Sequence, residues 1–141
     1  YNGPVEISYN NTTSDGYIAY IVDGTNRYYW VESTNVYTKL PATDGPWQGA
    51  STVDVIDNYN IYNEPGTNNW AATDLASALS TNAYYGTKDG APDSIVSIIV
   101  DHRQVYLLGQ RRKTLSLNQF QMYKCFLICS SVTPKSSHGL A

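Results

Sequence analysis

The stretch Tyr17-Ile18-Ala19-Tyr20-Ile21-Val22, followed by Asp23-Gly24-Thr25-Asn26 and then Arg27-Tyr28-Tyr29-Trp30-Val31-Glu32, decides the fold class. β-branched and aromatic residues fill both flanks, and the four residues between them are turn formers, so the segment reads as a β-hairpin. The same pattern recurs along the chain. Ser51–Asp57 and Tyr59–Tyr62 read as short strands broken near Asn58, and Asp93–Val100 and Val105–Leu108 flank the turn Asp101-His102-Arg103-Gln104. Gly45-Pro46-Trp47-Gln48-Gly49 and Asn63-Glu64-Pro65-Gly66-Thr67 read as loops. Gln119–Val132 is the longest strand signal, and Thr133–Ala141 is a polar tail. Turn signals this closely spaced predict an all-β sandwich of two antiparallel sheets with one or two short helices. The helix is expected at Trp70–Leu79, where Ala71, Leu75, Ala78 and Leu79 fall on one helical stripe behind an Asn cap.

Composition narrows the function. The 141 residues suit one domain, 1–141, able to bury roughly 70% of its unfolded surface. Charged residues make up 15% of the chain, against about 25% in ordinary domains, and the aromatic content excludes a disordered chain. Nine Lys+Arg against twelve Asp+Glu give a net charge of −3, which argues against a nucleic-acid partner, because such binding rests on phosphate neutralisation. The apolar runs, such as Phe126–Cys129, are too short to span a bilayer, so no membrane insertion is expected. The opening Tyr1-Asn2-Gly3-Pro4 has neither the basic nor the apolar region of a signal peptide. Cys125 and Cys129, on one strand, would lie about 13 Å apart, beyond disulfide reach, and are expected to be free thiols.

Catalytic constellations are lacking in the sequence. His138 lies in the tail, and His102 adjoins Asp101 in a turn, where such a pair is ordinarily solvated. Asp54 and Asp57, three apart on a strand, would point to opposite faces and could not flank one glycosidic bond. Neither a nucleophile elbow nor a phosphate loop nor a zinc motif is present, so no enzyme activity, metal or cofactor is expected. Carbohydrate binding has better material. Aromatic rings stack on the C–H faces of sugars while Arg, Asn, Asp and Thr bond their hydroxyls, and this chain carries 13 Tyr. Arg111-Arg112-Lys113 is the basic cluster, read as a solvated turn or as a contact for an anionic ligand.

Several segments fall in a familiar order. Tyr1-Asn2-Gly3-Pro4 resembles the Asp-Gly-Pro-Tyr opening of the rotavirus outer-capsid spike-head domain. Ser14-Asp15-Gly16-Tyr17 and Trp30-Val31-Glu32-Ser33-Thr34-Asn35 are similar to that family's Ser-Asp-Tyr-Trp strand and its Tyr-Glu-Ser-Thr-Asn continuation. Trp70 follows an Asn-rich loop, as the family's mid-chain Trp does. Ser94–Ile99 and Arg103–Gly109 resemble its hairpin, and Cys125–Ile128 and His138-Gly139-Leu140 resemble its last strand and end.

The resemblance, collinear over nearly the whole chain, implies a divergent member from another rotavirus group than the best-known one. It would be a galectin-like β-sandwich on the virion surface, made in the host cytoplasm, released by trypsin from the remainder of the spike polypeptide and binding host-cell glycans to start entry. The segment after Gly109 is shorter than in the best-known group, so that group's sialic-acid cleft does not carry over. The galectin His/Asn/Arg signature is also absent. A second family site transfers better, the alternative being that Ile99 and Tyr106 are core and Asp101 and Arg103 a solvated turn. Tyr17 or Ile18 stands at the strand Trp, and Ile99, Asp101, Arg103 and Tyr106 fall on the hairpin positions lining its pocket. Secondary candidates are Tyr85, Lys88, Arg111 and Arg112. The alternatives are a capsid or protein-interaction β-sandwich without lectin function, and a cellular carbohydrate-binding module.

Overall fold

A computed structural model describes residues 3–82, 84–89 and 93–109, and the backbone of 122–125. The fold is all-β and sandwich-like, built of antiparallel strands. Strands β1 (Glu6–Thr12), β2 (Gly16–Val22), β3 (Arg27–Val31) and β4 (Val36–Lys39) pair consecutively in a first sheet. Strands β5 (Val53–Ile56), β6 (Tyr59–Asn63), β7 (Asn69–Ala72) and β8 (Tyr84–Thr87) make a second meander. Strands β9 (Ile95–Asp101), β10 (Gln104–Gly109) and β11 (Met122–Cys125) form a third sheet with β10 in the centre.

Three sheets stand where two were expected, and side-chain alternation explains the layering. In the middle sheet, Val53, Tyr62 and Ala71 join Ile18, Tyr20, Val22 and Val31 of the first sheet in one apolar cluster. The opposite face carries Ile56, Ile61, Trp70 and Ala72, which pack with Ile95, Ile98, Val105 and Leu107 of the third sheet. With both faces covered, β6 and β7 are buried at nearly every position, as in strands that carry no solvent face. The outer sheets alternate instead: Ile7 and Tyr9 of β1 are exposed while Asn10 and Thr12 are buried.

This burial also corrects the helix expected at Trp70–Leu79. Among the described residues there is no helix; Asn69–Ala72 is β7, and turns follow. Trp70, Ala71 and Ala72 are all buried, so the period-two signal vanishes and good helix formers mimic a helical stripe. That stripe is not one face in the fold, because Ala71 and Ala78 are buried while Leu75 and Leu79 are exposed. Asp74 organises the turn instead, its carboxylate accepting from the Thr81 and Asn82 amides and side chains.

Polar staples join the layers. Glu6 Oε1 of β1 accepts from Thr52 Oγ1 at 2.7 Å and from Val53 N at 2.9 Å. Thr52 Oγ1 in turn accepts from Ile98 N at 3.0 Å, and Asp54 Oδ2 accepts from Val100 N at 2.9 Å. The free edge of β9 is thus satisfied by side chains of the β5 strand and the residue before it, which protects an edge open to foreign strands. Asp54 is thereby committed to structure. Inside the first cluster, Arg27 is fully buried and donates to Asp44 Oδ2 at 3.1 Å, Tyr20 Oη at 2.9 Å, and the carbonyls of Asp44, Trp47 and Gln48. Its guanidinium also lies 4.4 Å from the centroid of the Tyr62 ring.

Candidate functional site

The hairpin Gly16–Val22/Arg27–Val31 fixes which residues of the first sheet face outward. Ile18, Tyr20 and Val22 point into the core, so Tyr17, Ala19 and Ile21 lie on the opposite face. Between the two positions offered by the strand alignment, burial decides. Ile18 is core at 0% exposure, and Tyr17 is 55% exposed. The register sets Tyr9 across from Ala19 on one side and Trp30 on the other, so a small side chain lies between two large ones. Tyr9 and Tyr17 stack with ring centroids 6.4 Å apart and planes 25° apart.

Beside this pair is a hollow of about 320 Å³ lined by Asp15, Gly16, Tyr17, Glu32 and Ser33. Its frame is held by the turn between β1 and β2. Thr12 Oγ1 donates to the Gly16 carbonyl at 2.8 Å and accepts from Asp15 N at 3.2 Å. Gly16 has a φ of 74°, a left-handed conformation that favours glycine. On the far side, the Glu32 amide donates to the Tyr17 carbonyl at 3.1 Å, and the Tyr9 hydroxyl donates to Glu32 Oε1 at 3.4 Å. Desolvation, then the charge and hydrogen bond of Glu32, push the Tyr9 hydroxyl above its ordinary pKa, which keeps it a donor. Exposed rings beside two carboxylates and a serine hydroxyl suit a ligand with apolar C–H faces and hydroxyl donors. The same carboxylates oppose an anionic one.

The hairpin candidates are displayed on the outward face of the third sheet. Ile99 pairs across from Tyr106, Ile99 is 43% exposed, and the Tyr106 hydroxyl donates to Gln104 Oε1 at 2.9 Å. Both face away from the core residues Ile98, Val105 and Leu107. At the tip, His102 and Arg103 have φ of 51° and 62°, the positive pair of a two-residue type I′ turn, here without glycine, asparagine or aspartate. Asp101 Oδ2 lies 2.8 Å from His102 Nδ1 with both side chains exposed, so this pair is solvated.

Tyr17 and the hairpin lie on different sheets, and the turn between β5 and β6 links them. Arg103 Nη2 donates to the Asp57 carboxylate at 3.0 Å. The carbonyl of the next residue, Asn58, accepts from Asn10 Nδ2 at 3.1 Å. Asn10 adjoins Asn11, which pairs with Tyr17. Asp57-Asn58 is itself a type I′ turn, with φ of 49° and 69°. The sequence reading missed Asp57 in this role and missed Tyr9 altogether. Tyr9 was open to detection, because Ile7 and Tyr9 repeat at the strand period; Asp57 and Arg103 are 46 residues apart and nothing local announces their meeting.

The secondary candidates divide. Tyr85 is 47% exposed and meets Trp47 edge to face. Lys88 is a correction: it is fully buried and its ammonium is paired with Asp93, so it serves packing and is no ligand contact. Asp93 in turn lies flat against Gly109, where a Cβ would have no room. Arg111, Arg112 and the rest of the basic cluster lie outside the described residues, as do Cys129 and His138. Among the described residues, no group of three or more His, Cys, Asp or Glu side chains is placed to hold a metal ion. No family model matches this chain, and no curated protein or solved structure matches it.

Proposed function

We propose that the domain is a non-catalytic, lectin-like attachment module that binds neutral glycans of the host-cell surface through the Tyr9–Tyr17 platform and its adjoining hollow. The observation that carries this reading is the exposed, stacked tyrosine pair beside Asp15 and Glu32. Burying such rings against a sugar face is favourable, and leaving them in water without a partner is not. The hairpin tip, tied to the same end of the molecule through Asp57, supplies Arg103 as a hydroxyl partner for a longer glycan. The sequence resemblance adds the setting: the head of an outer-capsid spike on the virion surface, attached to the remainder of the spike polypeptide. Monovalent contacts of this kind are weak, and many spikes on one particle compensate by avidity.

A glycan array probed with the tagged domain tests the reading. Tyr17→Ala should lower the signal about tenfold or more, the loss of ~1.4 kcal/mol of contact, with an unchanged circular dichroism spectrum. An array on which the folded wild-type domain binds nothing, or on which Tyr17→Ala binds as wild type, would overturn it.

A protein-docking role has its own support. Tyr37 of β4 and Ile7 of β1 are more than half exposed, and Tyr28 and Tyr37 stack with centroids 5.3 Å apart. Exposed apolar residues grouped on one sheet face suit a protein partner. On that reading the array is silent and Tyr37→Ala weakens capture of the remaining spike polypeptide.

A further inference from the structure

A second hollow, of about 400 Å³, lies at the β7–β8 edge of the middle sheet and is lined by Trp47, Tyr85, Glu64, Asn69 and Thr87 among others. We propose that it is a second saccharide site, one that takes a neutral pyranose with adjacent hydroxyls and rejects acidic sugars.

Its walls are aromatic. Trp47 and Tyr85 meet with ring centroids 6.5 Å apart and planes 77° apart, so they form two sides of a corner. Trp47 is fixed in place: its Nε1 donates to the Asn63 carbonyl at 3.1 Å, and its ring abuts Tyr62 edge to face at 6.1 Å. Tyr85, on β8 across from Ala71, remains 47% exposed. A pyranose C–H face laid on either ring buries apolar surface on both partners.

Polar groups complete the corner. Asn69 Nδ2 donates to Glu64 Oε1 at 3.2 Å, which leaves the second carboxylate oxygen and the amide oxygen of Asn69 as acceptors. Two acceptors side by side suit a pair of hydroxyl donors. The loop between β6 and β7 holds both residues before any ligand arrives. The Glu64 amide donates to the Asn69 carbonyl at 3.0 Å, the Glu64 carbonyl accepts from Thr67 N at 3.1 Å and from Thr67 Oγ1 at 3.0 Å, and Thr67 Oγ1 accepts from Asn69 N at 3.0 Å. A preformed site loses less conformational freedom on binding.

The charge balance sets the selectivity. Glu64 brings its carboxylate to the corner, and the Thr87 hydroxyl is already committed to Asp89. Among the described residues, Lys88 is buried on Asp93 and Arg27 is buried on Asp44. A sugar carboxylate would therefore meet the Glu64 carboxylate.

Ligand-observed saturation-transfer NMR on the intact domain tests this, using methyl glycosides of galactose, glucose, mannose and N-acetylglucosamine, with the methyl glycoside of sialic acid as the acidic probe. The domain carrying Tyr17→Ala, which removes the platform's own saccharide contact, should bind at least one neutral glycoside and not the acidic one. Tyr85→Ala, at an exposed position, should reduce that binding about tenfold. Glu64→Gln, which can still accept from Asn69, should weaken it severalfold, both changes being made in the Tyr17→Ala background. Binding of no neutral glycoside, binding that persists in Tyr85→Ala, or equal binding of the sialoside overturns the proposal. The two sites fail separately. Loss of array binding in Tyr17→Ala with indifference to Tyr85 and Glu64 refutes this second site alone; the converse pattern refutes the platform alone.

Discussion

Two arginine–aspartate pairs in this domain have the same chemistry and opposite meanings. Arg27 and Asp44 lie at 3.1 Å with side-chain exposures of 0% and 6%, and Arg103 and Asp57 lie at 3.0 Å with 74% and 31%. The buried guanidinium is saturated: a carboxylate, a tyrosine hydroxyl and three backbone carbonyls use its donors, and a tyrosine ring lies against it. Desolvation alone would make it a weaker base, but the nearby Tyr20, Tyr62 and Asp44 raise its pKa, so it stays charged. The exposed guanidinium pairs with the Asp57 carboxylate at a turn tip and keeps most of its surface in water. Ion pairing as such therefore marks neither stability nor function. Burial tells the two apart.

The comparison breaks most visibly at Arg27. Arg27→Met removes the charge but leaves Asp44 buried and the carbonyls of Trp47 and Gln48 without their donor, so the expected loss is about 3–5 kcal/mol. Urea unfolding should show a large fall in midpoint or no folded protein at all; a midpoint near that of wild type would contradict this.

A smaller effect separates paired carboxylates from those held by neutral donors. Burial pushes the Asp23 pKa up, but the amides of Asn26 and Thr25 and the hydroxyl of Tyr28 outweigh it, and the net shift is downward. Asp74 behaves alike, burial opposed by Thr81 and Asn82. A carboxylate with a depressed folded pKa stabilises the fold above the ordinary aspartate range of ~4 and loses that contribution as pH falls through the folded value. The double variant Asp23→Asn, Asp74→Asn should therefore be less stable than wild type at neutral pH and lose less on acidification. Parallel curves for the two proteins would contradict this.

At the small end, Arg103→Ala should change stability by no more than about 1 kcal/mol, the worth of an exposed pair. Its effect should appear in glycan binding, which is expected to fall about tenfold on the array. A melting temperature that drops as far as for Arg27→Met would erase the contrast; full binding would confine the contact to the tyrosine platform.

Local pattern made much of this architecture legible. The hairpin read at Tyr17–Glu32 is observed as Gly16–Val22 and Arg27–Val31, and the break near Asn58 is the Asp57-Asn58 turn between β5 and β6. Alternation works where one face meets water, as at Tyr17 and Ile18. It fails where both faces are covered, which is why Trp70-Ala71-Ala72 reads as helix. Faces follow from period, whereas partners depend on how sheets stack. The sequence therefore offers Tyr85 and Lys88 as neighbours of one kind, while the fold buries the lysine and leaves the tyrosine outside. The same limit hides Glu64 and Asn69, whose meeting depends on a loop closed by Thr67.

The doubly covered middle sheet has a kinetic signature. Its amides can reach solvent only when an outer layer detaches, whereas the outer sheets shed protection by fraying at an edge. Deuterium should therefore enter Tyr59–Asn63 and Asn69–Ala72 last, at a rate that reports opening of the whole domain. Strand Val36–Lys39, at the edge of the first sheet, should label early. The outermost strand can then loosen without unlocking the two strands at the centre of the molecule.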